Sequence, residues 1–219
     1  MRIAVLADIH GNLRNLTACL HAIDAVGVDE IWCLGDVTSA IGEADPDTQA
    51  QCVRLIEERC SLTLAGNHDV WSLQRRLLPV SAALTVAGWQ PILQHGEIVA
   101  VHAAPFDPLM EWISDPAGAE QALRLRPIHA AAAAAINADL VRIILFAHTH
   151  KIAAWALGFD DELAIVTPLA AIGATADLSR WDRTLLNPGA VAGPEPSWML
   201  LDTADRVASW RSFPAPPGR

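Results

Sequence analysis

Carboxylates, imidazoles and one carboxamide gather in five short clusters of this chain, and each cluster closes an apolar run. Asp8 and His10 follow Ile3–Ala7, Asp36 follows Ile31–Leu34, and Asn67, His68 and Asp69 follow Leu62–Ala65. His102 follows Ile98–Val101, and His148 and His150 follow Arg142–Ala147. Five of the 8 histidines sit in these clusters. Buried strands that each deliver one or two polar ligands to one edge of a sheet can build a metal site. The pattern therefore points to a metal-dependent hydrolase.

The residue types narrow the chemistry. Asp8-Ile9-His10 puts a carboxylate and an imidazole on one side of an extended segment, because alternate residues face alike. His148-Thr149-His150 does the same with two imidazoles. Gly35 lets the backbone turn tightly before Asp36, whose two oxygens could bridge two ions. Gly66-Asn67-His68-Asp69 offers an amide ligand, a titratable imidazole and a carboxylate to orient it. Several imidazoles with few carboxylates suit Mn, Fe, Co, Ni or Zn better than Mg or Ca. The absence of cysteine ligands argues against a structural zinc site. A site rich in neutral ligands keeps net positive charge and favours an anionic substrate.

These clusters need elements to position them. Arg2–Ala7, Glu30–Leu34 and Ser61–Ala65 read as buried strands. Leu13, Leu16, Leu20, Ile23 and Val26 recur at helical spacing between the first two. Asp45 followed by Pro46 predicts an N-cap and first helical residue, with the helix running towards Cys60. This β-α-β-α-β order implies parallel strands. Gln90–Leu93 and Glu97–His102 flank His95-Gly96 as a hairpin, with Pro91 marking an edge strand. Ala117–Ala138 reads as one alanine-rich helix and Arg142–Phe146 as a buried strand. Ile152–Leu157, Leu163–Val166, Trp198–Leu201 and Val207–Trp210 read as strands of a second sheet. The expectation is one domain over residues 1–212 with a frayed tail over 213–219.

Composition bounds the function. The 219 residues suffice for one domain with a substantial core. Hydrophobic residues make up 52% of the chain and mean hydropathy is +0.27, yet no apolar stretch approaches the roughly 20 residues that cross a bilayer. The N-terminal apolar run breaks at Asp8 and reads as no signal peptide. Cys19, Cys33, Cys52 and Cys60 form no Cys-x-x-Cys pair and suit buried free thiols. The expected location is the cytoplasm, with no membrane association. A net charge of −10 disfavours non-specific nucleic-acid binding. It does not exclude a phosphate substrate, because two cations supply local positive potential. A homodimer is compatible with the sequence, which leaves the oligomeric state open.

Taken together, Asp8-x-His10, Gly35-Asp36, Gly66-Asn67-His68-Asp69, His102 and His148-x-His150 resemble the calcineurin-like metallophosphoesterase superfamily. The order matches over positions 8 to 150, about two thirds of the chain. Asn187-Pro188-Gly189-Ala190-Val191 extends the resemblance towards small bacterial and archaeal members of phosphodiesterase type. The resemblance implies an α/β fold, a four-layer α-β-β-α sandwich of two mixed sheets flanked by helices. It implies two divalent transition metal ions: Asp8, His10, Asp36 and His150 around the first, and Asp36, Asn67, His102 and His148 around the second. It also implies a hydroxide between ions roughly 3.5–4 Å apart, attacking phosphorus in line with the leaving group. His68 would protonate the leaving oxygen or stabilise the transition state, Asp69 would orient His68, and Asn12 would contact the phosphate of a small phosphoester.

Three features depart from the family pattern. Ala147 precedes His148 where glycine is usual. Ala103-Ala104-Pro105 follows His102 where related members often have Gly-Ser-Pro. Leu163–Arg183 reads as extra sequence that would cover the site. The arginines that grip a phosphomonoester in protein phosphatases are missing beside Asp36 and Gly66, which favours phosphodiesters over phosphomonoesters. A scaffold that keeps the fold without catalysis is the alternative, and the completeness of the site argues against it. A metallo-β-lactamase fold would need His-x-His-x-Asp-His, whereas Lys151 and Ile152 follow His150. His21, His95 and His129 read as solvated, turn and helix-start residues, and Trp71 and Trp112 as candidate walls of the pocket. Arg180 or Arg183 could reach a substrate phosphate.

Overall fold

In the computed structural model of the protein, which describes residues 1–41, 44–125, 136–159, 163–165 and 171–214, the chain builds two six-stranded sheets. In the first, β1 (Arg2–Leu6), β2 (Glu30–Cys33) and β3 (Leu62–Thr63) are parallel and joined through α1 (Leu13–Asp24) and α2 (Pro46–Arg59). After β3 come α3 (Asn67–Gln74) and α4 (Val80–Val86). The second sheet runs in the order β4 (Ile92–His95), β5 (Ile98–Val101), β6 (Ile143–Leu145), β10 (Arg183–Pro188), β7 (Ile152–Leu157), β8 (Leu163–Ile165). Its centre, β5-β6-β10, is parallel, and its flanks are antiparallel. α5 (Pro116–Leu123) lies on its outer side.

Period-two alternation explains the layering. Ile3 and Val5 of β1 pack towards Ile98, Ile143 and Leu145 of the second sheet. Ala4 and Leu6 point the other way, onto Leu16 and Leu20 of α1 and Val53 and Ile56 of α2. Both faces of β1 are covered, so the strand is apolar throughout rather than alternating with polar residues. On the far side, Val99 and Ile144 pack with Ala119, Ala122 and Leu123 of α5. Each fully buried Leu or Ile here contributes about 1.5–3 kcal/mol. The result is the four-layer α-β-β-α sandwich that the resemblance implies.

Local signals act as the sequence predicts at α2. Asp45 caps it by accepting from Asp47 N at 3.0 Å and Thr48 N at 2.9 Å, and Pro46 fills the first turn. The β4–β5 hairpin turns at Gly96, and β4 is an edge strand. Several expectations are corrected. α5 ends at Leu123 with Arg124 as its C-cap, short of the Ala138 predicted for it. Leu125 then turns left-handed at φ 48°, and residues 126–135, including His129 and Arg126, lie outside the described residues.

The strands predicted near residues 198 and 207 do not join the second sheet. β11 (Ser197–Asp202) pairs antiparallel with β1, β12 (Val207–Ser212) pairs with β11, and β9 (Thr175–Asp177) closes that edge. This shields the free side of β1, which is too apolar to face water. Phe213, predicted to be frayed, is 4% exposed and packs in the helix-side core, while residues 215–219 lie outside the described residues. The described part of Leu163–Arg183 builds edge strands, β8 on one sheet and β9 on the other. Residues 166–170 are outside the description. No helix among the described residues is long and apolar enough to cross a membrane.

Candidate metal centre

Every cluster stands at the carboxyl end of a strand in a parallel run. Asp8 follows β1, Asp36 follows β2, Asn67 opens α3 after β3, His102 follows β5, and His148 and His150 follow β6. The two parallel runs present these ends to a common edge. The ligand segments themselves are not extended. Asp8 (φ 55°), His10 (49°), Asp36 (53°), His148 (66°) and His150 (58°) are all left-handed. The sequence expectation of two extended tripeptides is therefore corrected to two tight turns, each with left-handed residues at both ends. Such conformations cost on the order of 1–3 kcal/mol each for bulky residues, less for Asp and His.

Neighbouring backbone holds these turns. Asp8, His10 and Gly11 N–H groups donate to the carbonyls of Gly35, Asp36 and Val37 at 3.1, 2.9 and 2.9 Å. From the other side, Val191 and Ala192 donate to Ala7 and Asp8. Asn187 Nδ2 donates to the Ala147 carbonyl at 2.9 Å and to Thr149 Oγ1 at 3.2 Å, and Asn187 Oδ1 accepts from Gly189 N. The Asn187–Ala192 segment thus braces both histidine-bearing turns, a structural role the motif alone did not reveal. Gly35 and Gly66 meet backbone to backbone, and a Cβ on Gly66 would overlap Asp36.

The side chains converge in two groups. Ligand atoms of Asp8, His10, Asp36 and His150 lie within 4.8 Å of one another, and so do those of Asp36, His102 and His148. Asn67 Oδ1 joins the second group, 3.1 Å from His102 Nε2. Asp36 belongs to both, and one oxygen does the joining. Its Oδ2 lies 3.7 Å from His10 Nε2 and 3.5 Å from His102 Nε2. Its Oδ1 instead accepts from His68 N at 2.8 Å. The two donor groups therefore meet at a single Asp36 oxygen, where the sequence reading counted both oxygens as available to ions.

The electrostatics fit cations at both groups. Both Asp8 oxygens and His148 Nε2 are buried without a hydrogen bond of normal geometry. Burial drives the Asp8 carboxyl well above its ordinary value of 3.8, despite the facing His102 and the nearby His148 amide, which act the other way. A buried acceptor of this kind needs a cation or a proton. Burial lowers His10 and His148 to about 4 each, so both imidazoles are neutral at pH 7. His102 is the exception. Burial alone would lower it, but Asp36 and then Asp8 outweigh that and hold it up to about 9. Asp36 itself is held well below the carboxylate range, since His102, His10 and His68 outweigh its burial. The back nitrogens are fixed: His102 Nδ1 donates to the Leu34 carbonyl at 2.8 Å, and the Met110 carbonyl faces His148. Such partners leave Nε2 free to ligate.

His68 sits at the rim, edge-on to His10 at 4.6 Å between ring centroids and 5.1 Å from Trp71. Its Nδ1 accepts from Ala40 N at 3.3 Å, which puts the proton of the neutral ring on Nε2. Asp69, expected to orient this ring, contacts backbone and a hydroxyl instead. It accepts from Gly66 N at 2.9 Å, Val37 N at 3.3 Å, and Thr38 N and Oγ1 at 2.8 and 2.9 Å. It locks the loop from which Ala40 reaches His68, and its influence on the imidazole is indirect. Asn12 lines a cleft of about 970 Å³ beside His10 and His150, but its Oδ1 is engaged as the N-cap of α1, accepting from Asn15 N at 3.0 Å. Arg183 is no phosphate ligand. It donates to the carbonyls of Val141, Leu123 and Ala138 and ties α5 to the second sheet.

Residues 1–206 match the calcineurin-like phosphoesterase superfamily domain. Protein MJ0912 of Methanocaldococcus jannaschii is 41% identical over 76 residues, a match that spans 35% of this chain and 29% of that protein. The fold is shared with a metallophosphoesterase from Sphaerobacter thermophilus, at TM-score 0.74 and 23% identity, covering 99% of this chain and 90% of that one. An archaeal phosphodiesterase also shares it, at TM-score 0.54 and 14% identity, covering 97% of this chain and all of the other.

Proposed function

The chain belongs to the calcineurin-like phosphoesterase superfamily, and on that premise we propose that it is a dimetal-dependent phosphodiesterase. The observation that carries the reading is Asp36 Oδ2, faced by both donor groups, with unpartnered Asp8 and His148 atoms on either side. Asp8, His10, Asp36 and His150 would hold one ion, and Asp36, Asn67, His102 and His148 the other. Bound there, the cations would polarise phosphoryl oxygens and make water a better nucleophile near neutral pH. The imidazole-rich donor set suits Mn, Fe, Co, Ni or Zn.

The chain's own groups supply the rest. His68 carries its proton on Nε2, and burial keeps its pKa below the ordinary histidine value, so it is a neutral donor towards the departing ester oxygen. Asp69 keeps the Val37–Ala40 loop in register with α3, which fixes that donor. Ala40 and Ala65 stand where a phosphatase would carry arginines, and both are buried and apolar. A phosphodiester, with one negative charge fewer than a monoester dianion, suits walls without those cations. The cleft beside His10 and His150 exceeds what a lone phosphate fills and has room for an ester arm. A net charge of −10 suits a small substrate rather than a nucleic acid, and the four free thiols suit a cytoplasmic enzyme.

The test is hydrolysis of a chromogenic phosphodiester and its monoester by metal-stripped protein, with Mn, Ni, Co, Zn and Mg added back singly. Turnover should require a transition metal, favour the diester, and fall steeply in His68→Ala and Asp36→Ala. A preference for the monoester would make the protein a phosphatase. No turnover in folded protein that binds two ions would favour a scaffold.

A further inference from the structure

Trp112 is the feature that the chemistry above leaves unused. It is 56% exposed, whereas Trp32, Trp198 and Trp210 are at most 1% exposed. Tryptophan is the side chain with most to gain from burial, and Met110 beside it is exposed as well, so the two present an apolar surface to solvent. The location is specific: the Trp112 ring lies 5.3 Å from the His148 ring at 72°. Hence the indole stands one ring's distance from a residue of the second donor group.

The segment that carries it is fixed. Ala103 N donates to the Pro108 carbonyl at 2.9 Å, and Ala104 and Asp107 pair backbone to backbone. Asp107 Oδ1 accepts from Leu109 and Met110 N–H groups at 3.3 and 3.2 Å. Phe106 and Ile113, on either side, are buried in the core beneath α5. The same segment presents the Met110 carbonyl to His148. Trp112 is thus held at both ends by buried anchors while its ring faces outward, which is how an aromatic contact is made without an ordering cost.

We propose that Trp112 forms the wall of a subsite for a planar aromatic arm of the ester, an aryl group or a heteroaromatic base, beside the second donor group. The inference rests on the phosphodiesterase reading for the position of the phosphorus. The ester oxygen that His68 does not serve, on the His148 side of phosphorus, brings its substituent against the indole, within the 4.5–7 Å spacing of paired rings. A saturated arm of equal size would gain the buried area but not the ring pairing. Trp112 therefore selects by aromaticity as well as by bulk.

Binding, measured without turnover, tests this. The manganese-loaded protein is titrated calorimetrically with methyl phenylphosphonate and methyl cyclohexylphosphonate, monoanions of similar shape. The wild type should prefer the phenyl compound. That preference should fall roughly two- to tenfold in Trp112→Ala, the range of an aromatic pair, and persist in Trp112→Phe. An unchanged preference in Trp112→Ala overturns the proposal. So does an equal weakening of both compounds, which would make the ring only a support for His148, and so does binding of neither compound by the wild type. Diester hydrolysis is assayed separately. A phenyl preference without turnover would sink the enzymatic reading and leave the subsite, and turnover without a preference would do the reverse.

Discussion

Asp8→Asn should make the metal-free protein more stable and the metal-loaded protein less so. The carboxylate is fully buried and both oxygens lack a hydrogen bond. Without a cation it must either stay ionised in a poor environment or take up a proton. Proton uptake at pH 7 from an ordinary value of 3.8 caps the cost at about 4 kcal/mol, at 1.36 kcal/mol per pH unit. The facing His102 offsets part of that, and the group's desolvation penalty of about 1–3 kcal/mol is the working figure. Asparagine keeps the shape and drops the charge. For a chain of 219 residues, at about 2–4 °C per kcal/mol, the melting temperature in EDTA should rise by roughly 2–12 °C. The sign with pH follows. A carboxyl whose folded pKa is raised destabilises as pH climbs above its unfolded value, so the gap between variant and wild type should close as pH falls towards 4. With manganese at a hundredfold excess over Kd, each site adds about 2.7 kcal/mol to the wild type, and Asp8→Asn forfeits the first site's share. The two melting curves should exchange order between EDTA and manganese, read by scanning fluorimetry. A variant that melts below the wild type in EDTA at pH 7 would falsify the claim that Asp8 is held at a cost for a cation.

Because one Asp36 oxygen faces both donor groups, Asp36→Ala should lower bound manganese by more than one ion per chain, whereas His148→Ala should lower it by about one. Equal losses in elemental analysis would refute the shared bridge. Metal binding at pH 7 should release a proton from His102, which is held up to about 9 in the metal-free site. Titrations in buffers of different ionisation enthalpy would show no buffer dependence if that proton were absent. Cys19, Cys33 and Cys52 are buried, and burial pushes Cys52 up to about 12 and Cys19 and Cys33 well above the ordinary thiol value. Native protein at pH 8 should therefore react with a disulfide reagent slowly, the partly exposed Cys60 first, and with all four thiols at once when unfolded. Rapid native reaction of several thiols would contradict the packing.

Where a residue type alone sets the physics, the sequence was legible. Asp45-Pro46 supplies an N-cap and a proline for the first helical position, and Gly96 between two apolar runs turns a hairpin. Apolar runs ending in Asp or His marked strands buried on both faces, because only strand ends bring polar atoms to an interior edge. Strand partners were not legible. β11 and β12 carry the same pattern whichever sheet they join, and the choice falls to the open side of β1, a property of the assembled sheet. Likewise Arg183 reads as a candidate phosphate contact until three carbonyls surround it, and the Met110 and Leu34 carbonyls that hold two imidazoles leave no trace in residue identity.

The site residues were found for a reason that the structure alters. Alternation in an extended segment was the stated ground for pairing Asp8 with His10 and His148 with His150, yet all four are left-handed. His148 and His150 part between the two donor groups, while Asp8 and His10 still converge on one, with the chain turning back instead of running on. That turn is what allows Asp8 N–H and His10 N–H to meet the carbonyls before and at Asp36, so the second ligand loop fixes the first. Aspartate and histidine tolerate this conformation better than most side chains. The spacing Asp-x-His therefore encodes backbone conformation as well as ligand chemistry. Replacing Ile9, fully buried between them, with glycine should loosen the turn and weaken manganese binding with every ligand still present. If affinity is unchanged, the bracing from the Asp36 and Asn187–Ala192 loops alone holds the pair.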